Sequence, residues 1–385
     1  MRCLGWSSWA QRMLPPRFAR PTPSWTRSWG IAVSIEDEYR SVRYGAALSR
    51  MDHVGLLRIR GDDALDAVDA VCSGDLWVRD GRMLQTLILD ERGQPVADVY
   101  VCPDYDACIL MVEGMTTEQF STCLARNADP DLEIALEDLR PEHELISLHG
   151  PYAWEVLSKW LTPDIIGLPY LSFYGFDRGT CFRAGKTGEY GYDLVIRSED
   201  AQDARRELLE LVRSVGGSEV SLGTLDLCAL ENGFFSVRNG SVEGLTPVEL
   251  QLQWRLSARK QFPGSAAIEA RRATGISRRL TYFVARDGVN PGDQVRGPDA
   301  PVGEVMAAAF SPGIGGVVGT VLLDIPVAYP GIDEFFVPNE GSAQPIRTVS
   351  SPLIVNRSLL VNPHHHSYAT REDVLNPPMW EGSLP

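Results

Sequence analysis

Apolar residues follow helical spacing in some segments of the chain and strict alternation in others. Tyr39 and Val42 recur at helical spacing behind Ser34, a good N-cap residue, so a helix is predicted to open the folded part. Residues 54–61 alternate as in a strand, and residues 62–74 predict a helix that ends at a glycine. The folded part is therefore predicted to begin with a helix, a strand and a second helix.

A meander and a second strand–helix unit follow. Residues 83–114 predict three strands joined by two turns, and residues 144–161 predict a strand that runs into a helix. Further strands are predicted near Phe182 and over residues 192–196, before an amphipathic helix over residues 200–217. The second unit therefore repeats the order of the first.

Helical spacing stops after residue 275, where short alternating runs with Gly and Pro turns predict a small all-β domain. Strand–helix units with antiparallel meanders, followed by a β module, indicate an α+β protein. We predict four segments: an N-terminal extension (1–30), a region of two interleaved α+β domains (31–275), a β-barrel domain (276–361) and a surface tail (362–385).

The composition narrows the classes of function. The 385 residues carry a formal net charge of −15, which repels nucleic-acid backbones and makes a small-molecule ligand the better expectation. The seven cysteines are scattered without metal-type spacing and are odd in number, so we expect reduced thiols, no metal site and a cytoplasmic protein. No apolar run is long enough to span a bilayer, so no membrane partner is expected.

The first thirty residues differ in composition from the rest, with five arginines, four tryptophans and no acidic residue. Such a basic, acid-free start is compatible with an organellar transit peptide. The alternative is an extension without a folded role, which the four prolines favour because they interrupt any continuous amphipathic helix.

The stretch GKTGEYGYDL, residues 185–194, contains one of only three lysines and resembles the end of a phosphate-binding loop. A loop of that kind needs a glycine where Thr180 stands and a helix after it, whereas GYDLVI predicts a strand. The phosphate-loop hypothesis therefore fails. By pattern alone, the three glycines favour a hairpin.

Several motifs, taken in order, resemble the aminomethyltransferase (glycine-cleavage T-protein) superfamily of tetrahydrofolate enzymes: GQPVADVYV, LISLHGPYAWEVL, AGKTGEYGYDLVI and LGTLDLCALENGF. This resemblance implies a three-domain cloverleaf around a central folate channel, with a β-barrel as the final domain. It also implies transfer of methyl or methylene groups from amines, ethers or sulfonium compounds to folate. The iron–sulfur assembly branch is disfavoured, because residues 185–189 contain neither the cysteine nor the glutamine of its signature.

The resemblance also implies roles for individual residues. Asp98 is the expected catalytic acid, which would orient the reactive folate nitrogen or stabilise a cationic donor. Asp193 is expected to accept hydrogen bonds from the pterin, with Lys186, Glu189 and Tyr192 as further cofactor-binding residues. From the pattern alone, Asp98 could equally be an exposed strand residue, and Lys186 could be a solvated hairpin lysine or a partner of Asp193 or of a ligand carboxylate.

Four positions depart from the family pattern: Ala97, Lys186, Ala229 and Val237 stand where an acid, an aromatic residue, an arginine and a tyrosine are usual. Two hypotheses follow. The first is a tetrahydrofolate-dependent one-carbon transferase acting on a small N- or O-methylated or aminomethyl donor. The alternative is a non-catalytic folate- or small-molecule-binding protein on the same scaffold, or a repurposed enzyme that does not use folate. The oligomeric state is left open.

Overall fold

The computed structural model describes residues 34–79, 81–238, 242–339 and 341–385. The predicted extension, residues 1–30, lies outside them. Seven α-helices form in these ranges: α1 (Ile35–Tyr44), α2 (Ala64–Val71), α3 (Thr117–Asn127), α4 (Ala153–Trp160), α5 (Ser198–Ser214), α6 (Leu222–Asn232) and α7 (Ser265–Thr274).

The strands of the same ranges form two sheets and a barrel. They are β1 (Ala47–Arg50), β2 (Val54–Arg60), β3 (Leu84–Leu89), β4 (Pro95–Asp104), β5 (Ala107–Glu113), β6 (Ala135–Asp138), β7 (His143–His149), β8 (Phe173–Phe176), β9 (Gly179–Phe182), β10 (Gly191–Arg197), β11 (Ser218–Glu219), β12 (Arg278–Ala285), β13 (Gln294–Arg296), β14 (Pro301–Ser311), β15 (Gly316–Asp324), β16 (Phe335–Asn339) and β17 (Ser342–Val349).

The first sheet is antiparallel, with the strand order β3-β4-β5-β2-β6. The tight turn between β4 and β5 places Asp104 opposite Ala107, and this register carries back along the hairpin to place Asp98 directly opposite Glu113. Opposed residues of an antiparallel pair point to the same face, so the two carboxylates lie side by side. Helices α2 and α3 cover the other face of this sheet, where Phe120 is fully buried in an apolar core.

The second sheet has the order β11-β1-β7-β10-β9-β8. Strands β7 and β10 pair antiparallel, so that Ser147 lies opposite Asp193. Helices α4 and α5 bury their apolar stripes against this sheet, with Leu157 and Leu208 fully buried in the shared core. The polar pair Ser147 and Asp193 is therefore held by a rigid, well-packed scaffold.

Six strands of the C-terminal part close into a barrel in the order β12-β15-β14-β13-β16-β17. Closure leaves no free edge strand, and alternate residues fill the interior, where Phe283 and Val321 are fully buried. The chain is thus a mixed α/β protein with several sheet units and a β-barrel at its C-terminal side, as predicted. The barrel strands lie within the predicted segment 276–361, although the exact domain boundaries stay a prediction.

The prediction of a surface tail over residues 362–385 is wrong in part. Met379 is only 5% exposed and packs in one apolar cluster with Tyr39 of α1 and Val318 of β15. The backbone of Val355 also donates to the carbonyl of Met379. An apolar side chain this well buried contributes to the core, which the high proline and histidine content of the tail concealed.

Candidate functional site

A pocket lies where the first sheet, the second sheet and helix α6 meet. It encloses about 660 Å³ that protein atoms do not fill, part of it open to solvent. Strands β4 and β5 contribute one wall, β7 and β10 the opposite wall, and α6 a third. The polar side chains that line it are Asp98, Tyr100, Glu113, Ser147, His149, Lys186, Thr187, Asp193, Asp226, Ser236 and Arg238.

Asp98 is buried and fully engaged by cationic and amide donors. Its Oδ1 accepts from Arg255 Nη2 at 2.6 Å, and its Oδ2 lies 2.9 Å from Lys186 Nζ. Gln85 Nε2 lies 3.0 Å from both oxygens. The exposed-strand reading of Asp98 is therefore wrong, since its side chain is only 1% exposed. These partners offset the cost of burying a carboxylate.

Lys186 bridges the two opposed carboxylates of the first sheet. Its Nζ lies 2.9 Å from Asp98 Oδ2 and 2.6 Å from Glu113 Oε2, and its side chain is 17% exposed. Burial disfavours the charged amine, but the two carboxylates outweigh that effect and raise the pKa of Lys186 above its ordinary value. Lys186 is therefore a cation, and it is neither a solvated hairpin lysine nor a partner of Asp193.

Glu113 is ionised despite its burial. Arg238 Nε contacts its Oε1, and Lys186 contacts its Oε2. Burial raises the pKa of this carboxyl, but the positive charges of Lys186 and Arg238 outweigh that effect and lower the pKa to about 2. Arg238 also holds Asp226 of α6 at 2.9 Å, so one charge network joins β5 to the helix. His53 lies beside Glu113, and its pKa is lowered to about 4 by burial and by the positive charge of Arg238.

The opposite wall carries a second polar group, formed by Ser147, His149 and Asp193. Ser147 Oγ donates to Asp193 Oδ1 at 2.5 Å and lies 2.7 Å from His149 Nε2. Burial raises the pKa of Asp193 to about 6, and burial lowers the pKa of His149 to about 4. Within the described residues, Asp193 Oδ2 has no hydrogen-bond partner, so it can accept an N–H group from a ligand in the pocket.

Tyr100 adds an unpaired donor to the same pocket. It lies on β4, two residues after Asp98, so both side chains point to the same face of the sheet. Its hydroxyl is buried and makes no hydrogen bond of normal geometry among the residues that the structure describes, although Tyr170 lies beside it. An unpaired buried hydroxyl is costly, and in a pocket it is a natural contact for a ligand.

Two of the predicted cofactor-binding residues do not reach the pocket. Glu189 is buried in another cluster, where it pairs with Arg43 at 3.1 Å and accepts from the backbone of Ser358 at 2.7 Å. Tyr192 lies in the apolar core of the second sheet, with the Arg183 guanidinium 4.5 Å from its ring centre. Both residues therefore belong to the scaffold, and neither lines this pocket.

The structure also locates the positions that depart from the family pattern. Ala229 lines the pocket, so the arginine usual there would project into it. Ala97 is fully buried in the core beneath the first sheet, facing away from Asp98, as strand alternation requires. Val237 belongs neither to the pocket lining nor to the core of the first sheet, and its side chain lies close to Gly114.

Glu113, Ser147, Arg238 and Arg255 belong to the site but were not singled out from the sequence. Glu113 had a usable signal in part: a turn that pairs Asp104 with Ala107 places it opposite Asp98, whereas a turn predicted one residue earlier, at residues 103–106, would place Met111 there. Arg238 and Arg255 had no signal in the sequence, since they reach the site from loops and turns far along the chain.

In the part of the chain that the structure describes, no group of three His, Cys, Asp or Glu side chains is arranged to hold a metal ion. The six cysteines of that part are free, and five of them are buried. No helix in the described ranges is long and apolar enough to cross a lipid bilayer.

The fold matches that of a solved aminomethyltransferase. The chain superposes on the glycine cleavage system aminomethyltransferase T from Bartonella henselae with a TM-score of 0.73, over 83% of this chain and 89% of that one, at 21% identity. The fold is therefore that of the T-protein class.

The sequence comparisons are more specific. The family model of the GCVT N-terminal domain matches residues 7–260, more than half of the chain. An aminomethyltransferase of Parafrankia sp. (strain EAN1pec) is 32% identical over 333 residues, covering 82% of this chain and 88% of that protein. One from Flavobacterium psychrophilum is 24% identical over 310 residues, covering 78% and 85%.

The chain belongs to this aminomethyltransferase (glycine-cleavage T-protein) family. It is an enzyme of the aminomethyltransferase type, in a family of folate-dependent one-carbon transferases.

Proposed function

We propose that this chain is a tetrahydrofolate-dependent one-carbon transferase whose folate occupies the pocket lined by Asp98 and Asp193. One observation carries the proposal: these two acids, both expected to contact folate, come from different sheets and line the same pocket. The donor we propose is a small N- or O-methylated or aminomethyl compound. Bound tetrahydrofolate would supply the nucleophilic nitrogen that accepts the one-carbon unit.

The free hydrogen-bonding atoms of the pocket fit a pterin. Such a ring presents amino and ring N–H groups, and a buried carboxylate with a free oxygen is a strong acceptor for them. Asp193 Oδ2 has that freedom within the described residues, while Ser147 fixes the orientation of the carboxyl through Oδ1. The unpaired Tyr100 hydroxyl can donate to a ring nitrogen or carbonyl oxygen. These residues would hold the cofactor.

Asp98 is proposed to position the reacting groups. Its carboxylate is held by Arg255 and Gln85, so its orientation is fixed before any ligand enters. Such preorganised charge stabilises a developing cation without reorganisation at the moment of reaction. A cationic donor that approaches Asp98 must, however, either displace Lys186 or share the Asp98 carboxylate with it.

Titration calorimetry with tetrahydrofolate tests the proposal. The wild-type chain should bind, and Asp193→Ala should weaken binding by roughly 10- to 100-fold, the size expected for lost hydrogen bonds to a charged group. Asp299→Ala, an exposed loop position, is the control and should bind as wild type does. Asp98→Ala should lose transfer more than binding. The absence of both heat and a thermal shift with the wild-type chain would refute the proposal.

A second candidate is favoured by the ion pair between Lys186 and Asp98. Because this cation occupies the carboxylate proposed for catalysis, the chain could be a repurposed member of the family that does not transfer to folate. Lys186→Tyr restores the aromatic residue that the family usually has. If only this variant converts tetrahydrofolate with a panel of N-methyl, O-methyl and aminomethyl donors, the second candidate is correct. If the wild type does so, the first is correct.

A further inference from the structure

A second pocket lies directly behind Asp98. We call it the rear pocket and define it by Gln85, Trp254, Arg255, Arg279, Thr281 and Tyr329, which all line it. It encloses about 1340 Å³ of space free of protein atoms, part of it open to solvent. Gln85 and Arg255 also hold Asp98, so these two side chains form a wall that separates the rear pocket from the proposed folate pocket.

The rear pocket is positive in an acidic protein. Its described lining includes two arginines and no aspartate or glutamate, whereas the whole chain has a net charge of −15. Arg255 pairs with Asp98, but Arg279 has no carboxylate within 4.0 Å among the described residues. Its guanidinium donates to the backbone carbonyl of Ala328. The positive charge of Arg279 in the rear pocket therefore has no counter-charge among the described residues.

Three hydrogen-bonding atoms of these lining residues also lack partners. They are Nε of Arg255, Nε of Arg279 and Oγ1 of Thr281, each buried and unpaired within the described residues. Arg255 is 5% exposed and Thr281 is 4% exposed, so water does not surround either side chain. Buried polar atoms are normally satisfied, so the lining of the rear pocket is incompletely paired.

Aromatic rings flank the two arginines. The Arg279 guanidinium lies 5.0 Å from the ring centre of Tyr329, and that of Arg255 lies 5.7 Å from the ring of Trp254. Trp254 is 75% exposed and Tyr329 is 52% exposed, so both rings keep a free face. A flat ligand can stack there while its anionic group reaches the arginines.

We propose that the rear pocket binds a small organic anion, with a carboxylate or phosphate held by Arg279 and Arg255 and a flat ring packed against Trp254 or Tyr329. The site goes beyond the proposed one-carbon transfer. It is also coupled to that reaction: an anion at Arg255 competes with Asp98 for the same guanidinium. Occupation of the rear pocket would therefore loosen the carboxylate proposed to position the reacting groups.

Calorimetry of the full chain with benzoate, acetate and inorganic phosphate tests the site. We expect benzoate to bind at least 3-fold more tightly than acetate because of the stacking surface, and Arg279→Gln to weaken benzoate binding at least 10-fold. Arg278→Gln is the matched control, since Arg278 is the neighbouring residue and is paired on the surface with Asp324 at 3.2 Å. It should leave the affinity unchanged.

Several results would overturn the proposal. The proposal fails if no probe binds, if Arg279→Gln and Arg278→Gln lose the same benzoate affinity, or if benzoate and acetate bind equally tightly. Circular dichroism should show that each variant is folded. If Arg279→Gln is not, Arg279→Lys keeps the charge but loses the planar fork, and an unchanged benzoate affinity in that variant would count against the site. Asp193→Ala should leave benzoate binding intact, so failure of the folate proposal can be told apart from failure of this one.

Discussion

Lys186 offers a sharp test of the charge network, because one substitution removes the cation that two buried carboxylates share. Lys186→Met keeps the length of the side chain and deletes its charge. The change leaves Asp98 with Arg255 and Glu113 with Arg238, so neither carboxylate becomes wholly unpaired. We expect the variant to fold but to be less stable at neutral pH.

The size of the loss follows from the pKa of Glu113. Its fall from 4.5 to about 2 corresponds to ~3 kcal/mol in favour of the ionised form, and Lys186 shares that effect with Arg238. Lys186 therefore accounts for ~1.5 kcal/mol through Glu113, and the loss of its 2.9 Å ion pair with buried Asp98 adds to this. We predict a loss of ~3 kcal/mol, the low end of the range for breaking a buried ion pair.

Urea unfolding followed by tryptophan fluorescence measures this loss, at pH 7, 5 and 3. The pKa of Glu113 is lower in the folded state, so its contribution is present above pH 4.5 and is lost as the pH falls towards 2. Without Lys186, that pKa moves back towards 4.5, and the variant should lose less stability between pH 5 and pH 3 than the wild type does.

The control is Lys159→Met. Lys159 pairs with Glu155 at 2.8 Å on the surface of α4 and is half exposed, so its removal should cost only ~0.3–0.5 kcal/mol. The reasoning is refuted if Lys186→Met costs no more than this control, or if both proteins lose stability equally on acidification.

Three further predictions can be checked by the same unfolding assay. Arg43→Met removes a fully buried cation from two glutamates and should cost ~3–5 kcal/mol, whereas exposed Arg40→Met should stay within ~0.5 kcal/mol. His149, with its pKa lowered to about 4, takes up its proton mainly after unfolding, so it contributes a loss of up to ~3 kcal/mol in stability from pH 6.5 to 4, and His149→Gln should lack that component; the raised pKa of Asp193 acts in the opposite direction in both proteins. Gly233→Ala should cost ~2–3 kcal/mol because φ is +71° and the new Cβ would lie 2.0 Å from the Ser351 hydroxyl. Equal losses in Arg43→Met and Arg40→Met, a loss below ~1 kcal/mol in Gly233→Ala, or an unchanged acid profile in His149→Gln would contradict these arguments.

Much of the secondary structure could be read from local signals. Ser34 caps α1 by accepting from the backbone of Asp37, and the meander of residues 83–114 forms β3, β4 and β5. Helix α3 was not predicted, although Thr116 and Gln119 form a capping box that marks its start. Its apolar stripe is short, with only Phe120 and Leu124 buried, so periodicity alone was a weak signal there.

The candidate site was less accessible from sequence. Asp98, Lys186 and Asp193 do line one pocket, but the motif that contains Lys186 and Asp193 also suggested Glu189 and Tyr192. On strand β10, Tyr192 and Asp193 point to opposite faces, so alternation could have excluded the tyrosine. Glu189 lies in the loop before the strand, where no periodicity tells which way a side chain points.

The sequence by itself determined most of the order of helices and strands, the α+β class with its terminal β domain, and the family, because capping, periodicity and motif order are properties of neighbouring residues. Only the tertiary structure decided which charges meet. Asp98 finds Arg255 and Lys186 across long stretches of chain, and the rear pocket exists because residues of β3, the turn at Gln253–Arg255 and β12 converge. Electrostatic partners act over a few ångströms in space, and spacing along the chain does not encode that distance.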